Sequence, residues 1–369
     1  MFELQGKYNT CKIYAEGVDT SAVGQLIALM NQECTKDSII RIMPDCHGGK
    51  TSTIGTTMTI KDKVIPNIVG VDVGCGILCV QLKEKRINLP MLDSIINKLI
   101  PSGANVHKDS NENRTTVNME DLKCYKYFSK EESYMYKSIG TLGGGNHFIE
   151  IDKDEDENLY LLIHSGSRNL GVKVCEYYQK QGYAKIKNSG LNIPFELSFV
   201  EGELFNSYIQ DMKLTQQFAK DNRAEMARII LKNAKIHAVD VFDTIHNYID
   251  MDSMILRKGA ISAKQDEIVT IPINMKDGTL ICKGKGNSDW NYSAPHGAGR
   301  IMSRADAKES IGMKEYKEIM SGIFSTSVTK STIDESPMAY RSLDYVLEKV
   351  QDTVNVLKQL KPIYNFKAH

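Results

Sequence analysis

The chain has 369 residues, long enough for one large domain or two ordinary ones with a substantial core. Hydrophobic residues make up 41%, charged residues 25%, and 46 basic side chains balance 46 acidic ones. That balance excludes a global field that would draw in nucleic acid, so any such partner needs a local basic patch. No run of 18 apolar residues occurs, so no membrane span is expected. The N-terminus lacks the basic start and apolar stretch of a signal peptide, which predicts a cytoplasmic protein. The eight cysteines form no CxxC pair and read as free, packed thiols.

In chain order, residues 21–32 repeat apolar positions at helical spacing. The stretch VGVDVGCGILCVQL (69–82) has the apolar, β-branched ends of a buried strand. Its middle carries three glycines, Asp72 and Cys75, and glycine in a strand marks a bend or a close backbone approach. Asp72 and Cys75 could share a metal ion, or be a capping carboxylate and a packed thiol. Residues 88–100 predict a helix with Pro90 in its first turn. Residues 102–136, rich in Asn, Lys and Glu, predict a surface insertion. Two glycine-rich turns, TLGGGNHFIEI and IHSGSRNLG, flank the apolar run LYLLIH, and the acidic run 152–158 reads as a hairpin tip. Helices are expected to dominate 172–249, with two of them over 203–245. Strands are expected over 255–285, helices near 304–320 and 338–360, and then the tail KPIYNFKAH. The fold class that follows is α+β: one domain over 1–369 with a β-rich core flanked by helices.

Four of the eight histidines lie beside Gly, Ser or Asn: His147, His164, His246 and His296. Imidazole and thiolate together suit Zn, Mn, Fe or Co. Asp72, Cys75, His147, His164 and His246 could bind one ion, or two bridged by the thiolate. The turns GGGN, GSRNLG and HGAGR offer unobstructed backbone N–H groups of the kind that cradle phosphate. Arg300 and Arg304, at i and i+4, would share a helical face. With Arg168 and Lys50 they could form a local basic site for a phosphodiester backbone despite the zero net charge.

Six motifs in order carry a resemblance: MPDCHGGK (43–50), GVDVGCG (70–76), LGGGNHFIE (142–150), HSGSR (164–168), HN (246–247) and HGAGRIMSR (296–304). The chain resembles the RtcB-type RNA ligases from about residue 42 to residue 367. The resemblance implies a GTP-dependent enzyme with two Mn²⁺ ions. It would join RNA ending in a 2′,3′-cyclic phosphate or 3′-phosphate to RNA with a 5′-hydroxyl, in tRNA splicing or RNA repair. It assigns one ion to Asp72, Cys75 and His147, and the other to Cys75, His164 and His246. It makes His296 the guanylylated nucleophile. Nucleotide contacts fall on Asn146, His147, Phe148, Ile149, Glu150, His246, Asn247, Pro272, Ile273, Asn274, Met275, Thr279, His296, Gly297, Ala298, Gly299 and Lys367. The partners implied are these RNA ends and GTP, with an activating protein left open. PINMKDG (272–278) departs from the family's glycine-containing turn, since Ile273 lacks glycine's freedom. Two further readings use the same residues: a Mn-dependent enzyme that guanylylates or processes RNA 3′ ends with little joining, and a non-catalytic guanine-nucleotide or RNA sensor.

Overall fold

The computed structural model describes residues 1–368; His369, the end of the tail, lies outside them. The architecture is α+β, built on two large sheets. The six-stranded sheet runs, in spatial order, Phe2–Gln5, Thr10–Ile13, Ile40–His47, Ile54–Thr59, Ile255–Lys258 and Asn247–Asp250. The seven-stranded sheet runs Ala238–Ile245, Gly76–Leu82, Leu159–Ser165, Phe148–Lys153, Val354–Lys367, Gly278–Gly284 and Ile268–Asn274. This second sheet curls on itself: Thr270 on its last strand donates its backbone N–H to Thr244 Oγ1 on its first, at 3.1 Å.

Alternation along the strands sorts side chains to its two faces. Ile77, Cys79, Phe148, Tyr160, Leu162, Ile281 and Leu360 form one buried cluster inside the curl. The intervening Leu78, Val80, Ile149, Ile151, Leu161 and Ile163 pack outward with Met226 and Ile230 of the helix Glu203–Ala234. Asp211 on the same helix accepts the backbone N–H groups of Lys123 (2.7 Å) and Cys124 (3.0 Å).

Three local expectations change. The span 203–245 is not two helices but one 32-residue helix, Glu203–Ala234, followed by the strand Ala238–Ile245. Lys235 takes a left-handed conformation (φ 55°) and ends the helix. Beyond it AVDVFDTI is β-branched and alternating. Its apolar character looks helical only because Val239 and Val241 sit on an edge strand and stay 63% and 51% exposed. The predicted helix over 338–360 shrinks to Leu343–Lys349, and the tail becomes the 14-residue strand Val354–Lys367. Pro362 is accommodated beside a bulge between residues 362 and 364. Within 69–82 only Gly76–Leu82 is strand; Asp72 and Cys75 belong to the turn ahead of it.

Residues 102–136 are short turns rather than long elements, with most of their polar side chains outward. Val117, Met119, Leu122, Cys124, Phe128, Met135 and Tyr136 nevertheless belong to the large hydrophobic core, so the stretch is more than a surface insertion.

Candidate active site

Four neighbouring strands of the curled sheet deliver their chemistry at one end. Cys75 precedes Gly76–Leu82, His147 precedes Phe148–Lys153, His164 lies near the end of Leu159–Ser165, and His246 follows Ala238–Ile245. Antiparallel pairing brings these ends together: Gly76 faces Ser165 and Ile245, and Phe148 faces His164. The turn carrying Asp72 and Cys75 is fixed from outside. Gly74 N–H donates to Asn247 O (2.7 Å), and Cys75 O accepts from His246 N–H (2.8 Å). Gly166 is glycine because a Cβ there would lie 1.9 Å from Asp72 Oδ1.

Cys75 Sγ lies 3.4 Å from His147 Nε2 and 3.3 Å from His164 Nε2. Asp72 Oδ2 is 3.1 Å from His147 Nε2, and the Nε2 atoms of His164 and His246 are 3.4 Å apart. His147 Nδ1 lies 2.7 Å from Leu142 O, and His164 Nδ1 lies 3.2 Å from Asn146 O. Each ring therefore donates its Nδ1–H to a carbonyl and turns the lone pair of Nε2 toward its neighbours, the orientation of metal-ligating histidines. Burial first, then the neighbouring rings, keeps the His164 and His246 imidazoles neutral by lowering their pKa far below the usual value. Lone pairs so converged repel unless a cation lies among them, and the N, S and O donors fit a transition-metal ion. Cys75, His147 and His164 make up the buried group best able to hold one, with Asp72 and His246 at its two ends.

The ring of His296 continues this row, its centroid 4.9 Å from that of His246. Its Nδ1 lies 2.7 Å from Oδ2 of the buried Asp45, which also accepts the His296 backbone N–H at 3.2 Å. A carboxylate only accepts, so Nδ1 carries the hydrogen and Nε2 the free lone pair. Gly299 (φ 73°) permits this approach, because a Cβ there would meet Asp45 O at 2.6 Å. His296 opens into a pocket of about 300 Å³. On its far wall Glu150 is buried and receives a hydrogen bond from Asn365 Nδ2. Burial raises the Glu150 carboxyl to about 7 against the opposing pull of Lys367 and Asn365. Lys367 Nζ donates to Glu335 Oε2 (2.9 Å) and Asn146 O (3.3 Å). Glu335 also accepts from Tyr340 Oη (2.8 Å) and pairs with Arg304. Burial works to raise the Glu335 carboxyl, but Lys367 and Arg304 outweigh it and bring it down to about 2.

A family model described as tRNA-splicing ligase RtcB matches residues 25–368. The chain belongs to the RtcB family. The RNA-splicing ligase RtcB of Escherichia coli K12 is 30% identical over 367 residues, covering 89% of this chain and 90% of that protein. RtcB1 of E. coli ATCC 25922 shows the same identity and coverage. The tRNA-splicing ligase RtcB of Aeropyrum pernix is 26% identical, covering 83% of each chain.

In this RtcB-family chain the predicted nucleotide contacts divide. Asn146, Phe148, Glu150, His246, Pro272, Ile273, Asn274, Met275, His296, Gly297, Ala298, Gly299 and Lys367 line the pocket. His147 lies in the metal-capable cluster instead. Ile149 points out of the curl into the helix-side core, because strand neighbours alternate faces. Thr279 is fully buried behind the wall, and Asn247 Nδ2 braces Asp72 O at 3.2 Å. The Asn274 amide is already engaged: it donates to Asp277 Oδ2 (2.8 Å) and accepts from the N–H groups of Lys276 and Asp277 (both 2.9 Å).

Arg300 and Arg304 do not share a helical face, since the helix begins at Arg304. Both line the His296 pocket and converge on Glu335, which they share with Lys367, so this one carboxylate offsets only part of their charge. Arg168 lies elsewhere, bonded to Thr141 Oγ1 (3.1 Å) and Gly103 O (2.7 Å), and Lys50 is on an exposed loop. Sequence reasoning missed Asp45 and Glu335. Asp45 stands inside the MPDCHGGK motif, but its partner is 251 residues away. Glu335 lies in a short 3₁₀ turn with no pattern of its own.

Proposed function

We propose that the chain is an RNA ligase that uses GTP to join a 3′-phosphate or 2′,3′-cyclic phosphate end to a 5′-hydroxyl end, with His296 as the guanylylated nucleophile. The observation that carries this reading is the Asp45–His296 pair, set between a nucleotide-sized pocket and the Asp72/Cys75/His147/His164/His246 cluster. Asp45 fixes the ring so that Nε2 is the free nucleophile. As the bond from Nε2 to the α-phosphorus forms and the bond to pyrophosphate breaks, the imidazole becomes cationic. The Asp45 carboxylate, 2.7 Å away, stabilises that charge. Two Mn²⁺ ions held by the cluster would neutralise phosphoryl charge when bound.

Glu150 and Lys367 suit guanine: a carboxylate accepts from the N1–H and N2–H₂ edge, and an ammonium donates to O6 or N7. Adenine shares the N7 acceptor but has no N1–H or N2–H₂ donor for Glu150 and carries an amino donor where guanine has O6. The 3′-phosphate then takes GMP from His296, which supplies the leaving group that a bare phosphate lacks. The names and wide coverage of the RtcB relatives support RNA as the substrate. A cytoplasmic setting is supported by eight free cysteines.

Incubating the protein with Mn²⁺ and α-labelled GTP tests the reading. An acid-labile GMP adduct is expected, and it should vanish in His296→Ala. An adduct at normal level in that variant would overturn the assignment.

A further inference from the structure

We propose that a basic groove beside the metal-capable cluster holds the RNA strand whose 5′-hydroxyl is to be joined; this rests on the ligase reading above. The groove encloses about 1050 Å³, and Lys108, Lys130, Lys137, Arg168, Tyr134 and Asn169 are among the residues on its walls. None of the three lysines, nor Arg168, has an ion-pair partner among the described residues. The one acidic side chain lining it, Glu131, is taken up by Lys173 at 2.7 Å. A chain of balanced charge thus gathers three unpaired lysines in one trough, together with Arg168, whose charge Asp72 partly offsets. Their mutual repulsion is relieved only by anions, and a phosphodiester backbone supplies these at regular spacing.

Local structure arranges the groove. Residues 129–131 form a 3₁₀ turn and 132–137 a short α-helix; Tyr134 and Lys137 share a face of that helix, and Lys130 from the turn lines the same groove. Tyr134 is 38% exposed and its Oη is anchored to Ala104 O (3.2 Å), which leaves a ring available for base stacking. Arg168 and Asn169 open the 21-residue helix Arg168–Asn188, whose first-turn N–H groups favour phosphate.

The strand assignment follows from the row of rings. His147, His164, His246 and His296 succeed one another at centroid separations of 5.2, 5.1 and 4.9 Å. The nucleotide pocket opens at the His246/His296 end. Arg168 and the groove lie at the His147 end: a Cβ placed on Gly143 would be 1.9 Å from Arg168 Nη1 and 2.8 Å from His147 Nδ1. Displacement at phosphorus is in line, with entering and leaving oxygens on opposite sides. GMP leaves toward its pocket with the electron pair of the broken P–O bond. The 5′-oxygen therefore enters from the groove side and bonds to phosphorus as its proton passes to solvent.

The test measures binding of two labelled single-stranded RNA 12-mers, one with a 5′-hydroxyl and 3′-hydroxyl, one with a 3′-phosphate and blocked 5′ end. The proteins are the parent, Lys130→Glu/Lys137→Glu, Tyr134→Ala and the remote control Lys314→Glu, whose side chain is 91% exposed. In the double variant, affinity for the 5′-hydroxyl strand should fall at least about tenfold. Its salt slope should fall by about 0.7 for each lysine lost. Tyr134→Ala should weaken that strand without changing the slope. Binding of the 3′-phosphate strand and formation of the GMP adduct should stay at parent level, as should everything in the control. Unchanged binding of the 5′-hydroxyl strand, or selective loss of the 3′-phosphate strand, overturns the groove assignment. Absence of a GMP adduct in the parent instead overturns the ligase reading, while the binding arms still judge the groove.

Discussion

Cys75 and Cys79 are four residues apart, both buried and both free, yet their surroundings differ in kind. Cys75 Sγ faces imidazole nitrogens, whereas Cys79 packs among Ile77, Tyr160 and Leu162 inside the curl. Cys75→Ser should leave the fold intact but cut manganese content severely, and Cys79→Ser should leave metal content at the parent level; elemental analysis after gel filtration reads both. The meeting of Cys75 with His147 and His164 is legible only when GVDVGCG is read together with the glycine-flanked histidine motifs. Nothing in the sequence warned of Asp152, which is fully buried with neither carboxylate oxygen hydrogen-bonded. Burial, then the neighbouring Glu150, raises its pKa far above the usual 3.8. Carboxyls raised in this way bind protons in the folded state that the unfolded chain releases near pH 4. Their contribution to stability is therefore full below about pH 4 and is lost as pH rises toward 7 and beyond, with Glu150 at about 7 marking part of that window. Asp152→Asn should melt several degrees above the parent at pH 8, and the gap should close toward pH 4. A constant gap across that range would mean that packing, not ionisation, is responsible.

At the scale of elements, the strand Val354–Lys367 departs furthest from what the sequence suggests. Helical spacing in YVLEKVQDTVNVLKQL is real only for its first turns; after Val350 the pattern alternates, and strand pairing on both sides decides the outcome. Motifs are readable because they are local, whereas the choice between helix and strand for VNVLKQL depends on partners 70 or more residues away. Placing Lys367 in a paired strand makes it a fixed wall residue. Its backbone N–H donates to Ser327 Oγ (3.0 Å), and its ammonium lies 5.2 Å over the Phe148 ring. Lys367→Met preserves the strand and removes the charge. It should leave the melting temperature within a few degrees and narrow the preference for GTP over ATP by about 10- to 100-fold, the worth of one charge-assisted hydrogen bond. Competition of ATP against GTP in adduct formation measures this directly.

Across the whole molecule, the candidate ligands come from four segments, at residues 72–75, 147, 164 and 246, so a pair of ions sharing Cys75 would together tie four strand ends. Manganese at about 100 times its dissociation constant should add roughly 2.7 kcal/mol to stability. That should appear in calorimetry as a rise of a few degrees, abolished by a chelator and absent in Cys75→Ser. The seven-stranded sheet has a second consequence. Val354–Lys367 lies between Phe148–Lys153 and the hairpin Ile268–Asn274/Gly278–Gly284, and is the last of these elements to be translated. During synthesis the two flanking edges wait unpaired, and at about 5–20 residues per second the roughly 200 residues after Lys153 take about 10–40 s. Phe148–Lys153 presents an edge for that interval, and Gly278–Gly284 joins it for the roughly 70 residues before Val354, about 4–14 s at the same rate; both can pair with other chains. The nascent chain also lacks Lys367, so one stalled short of the last strand would carry the His296 pocket without one of its wall residues. Adding the last strand thus closes both sheet edges and the wall of the His296 pocket together.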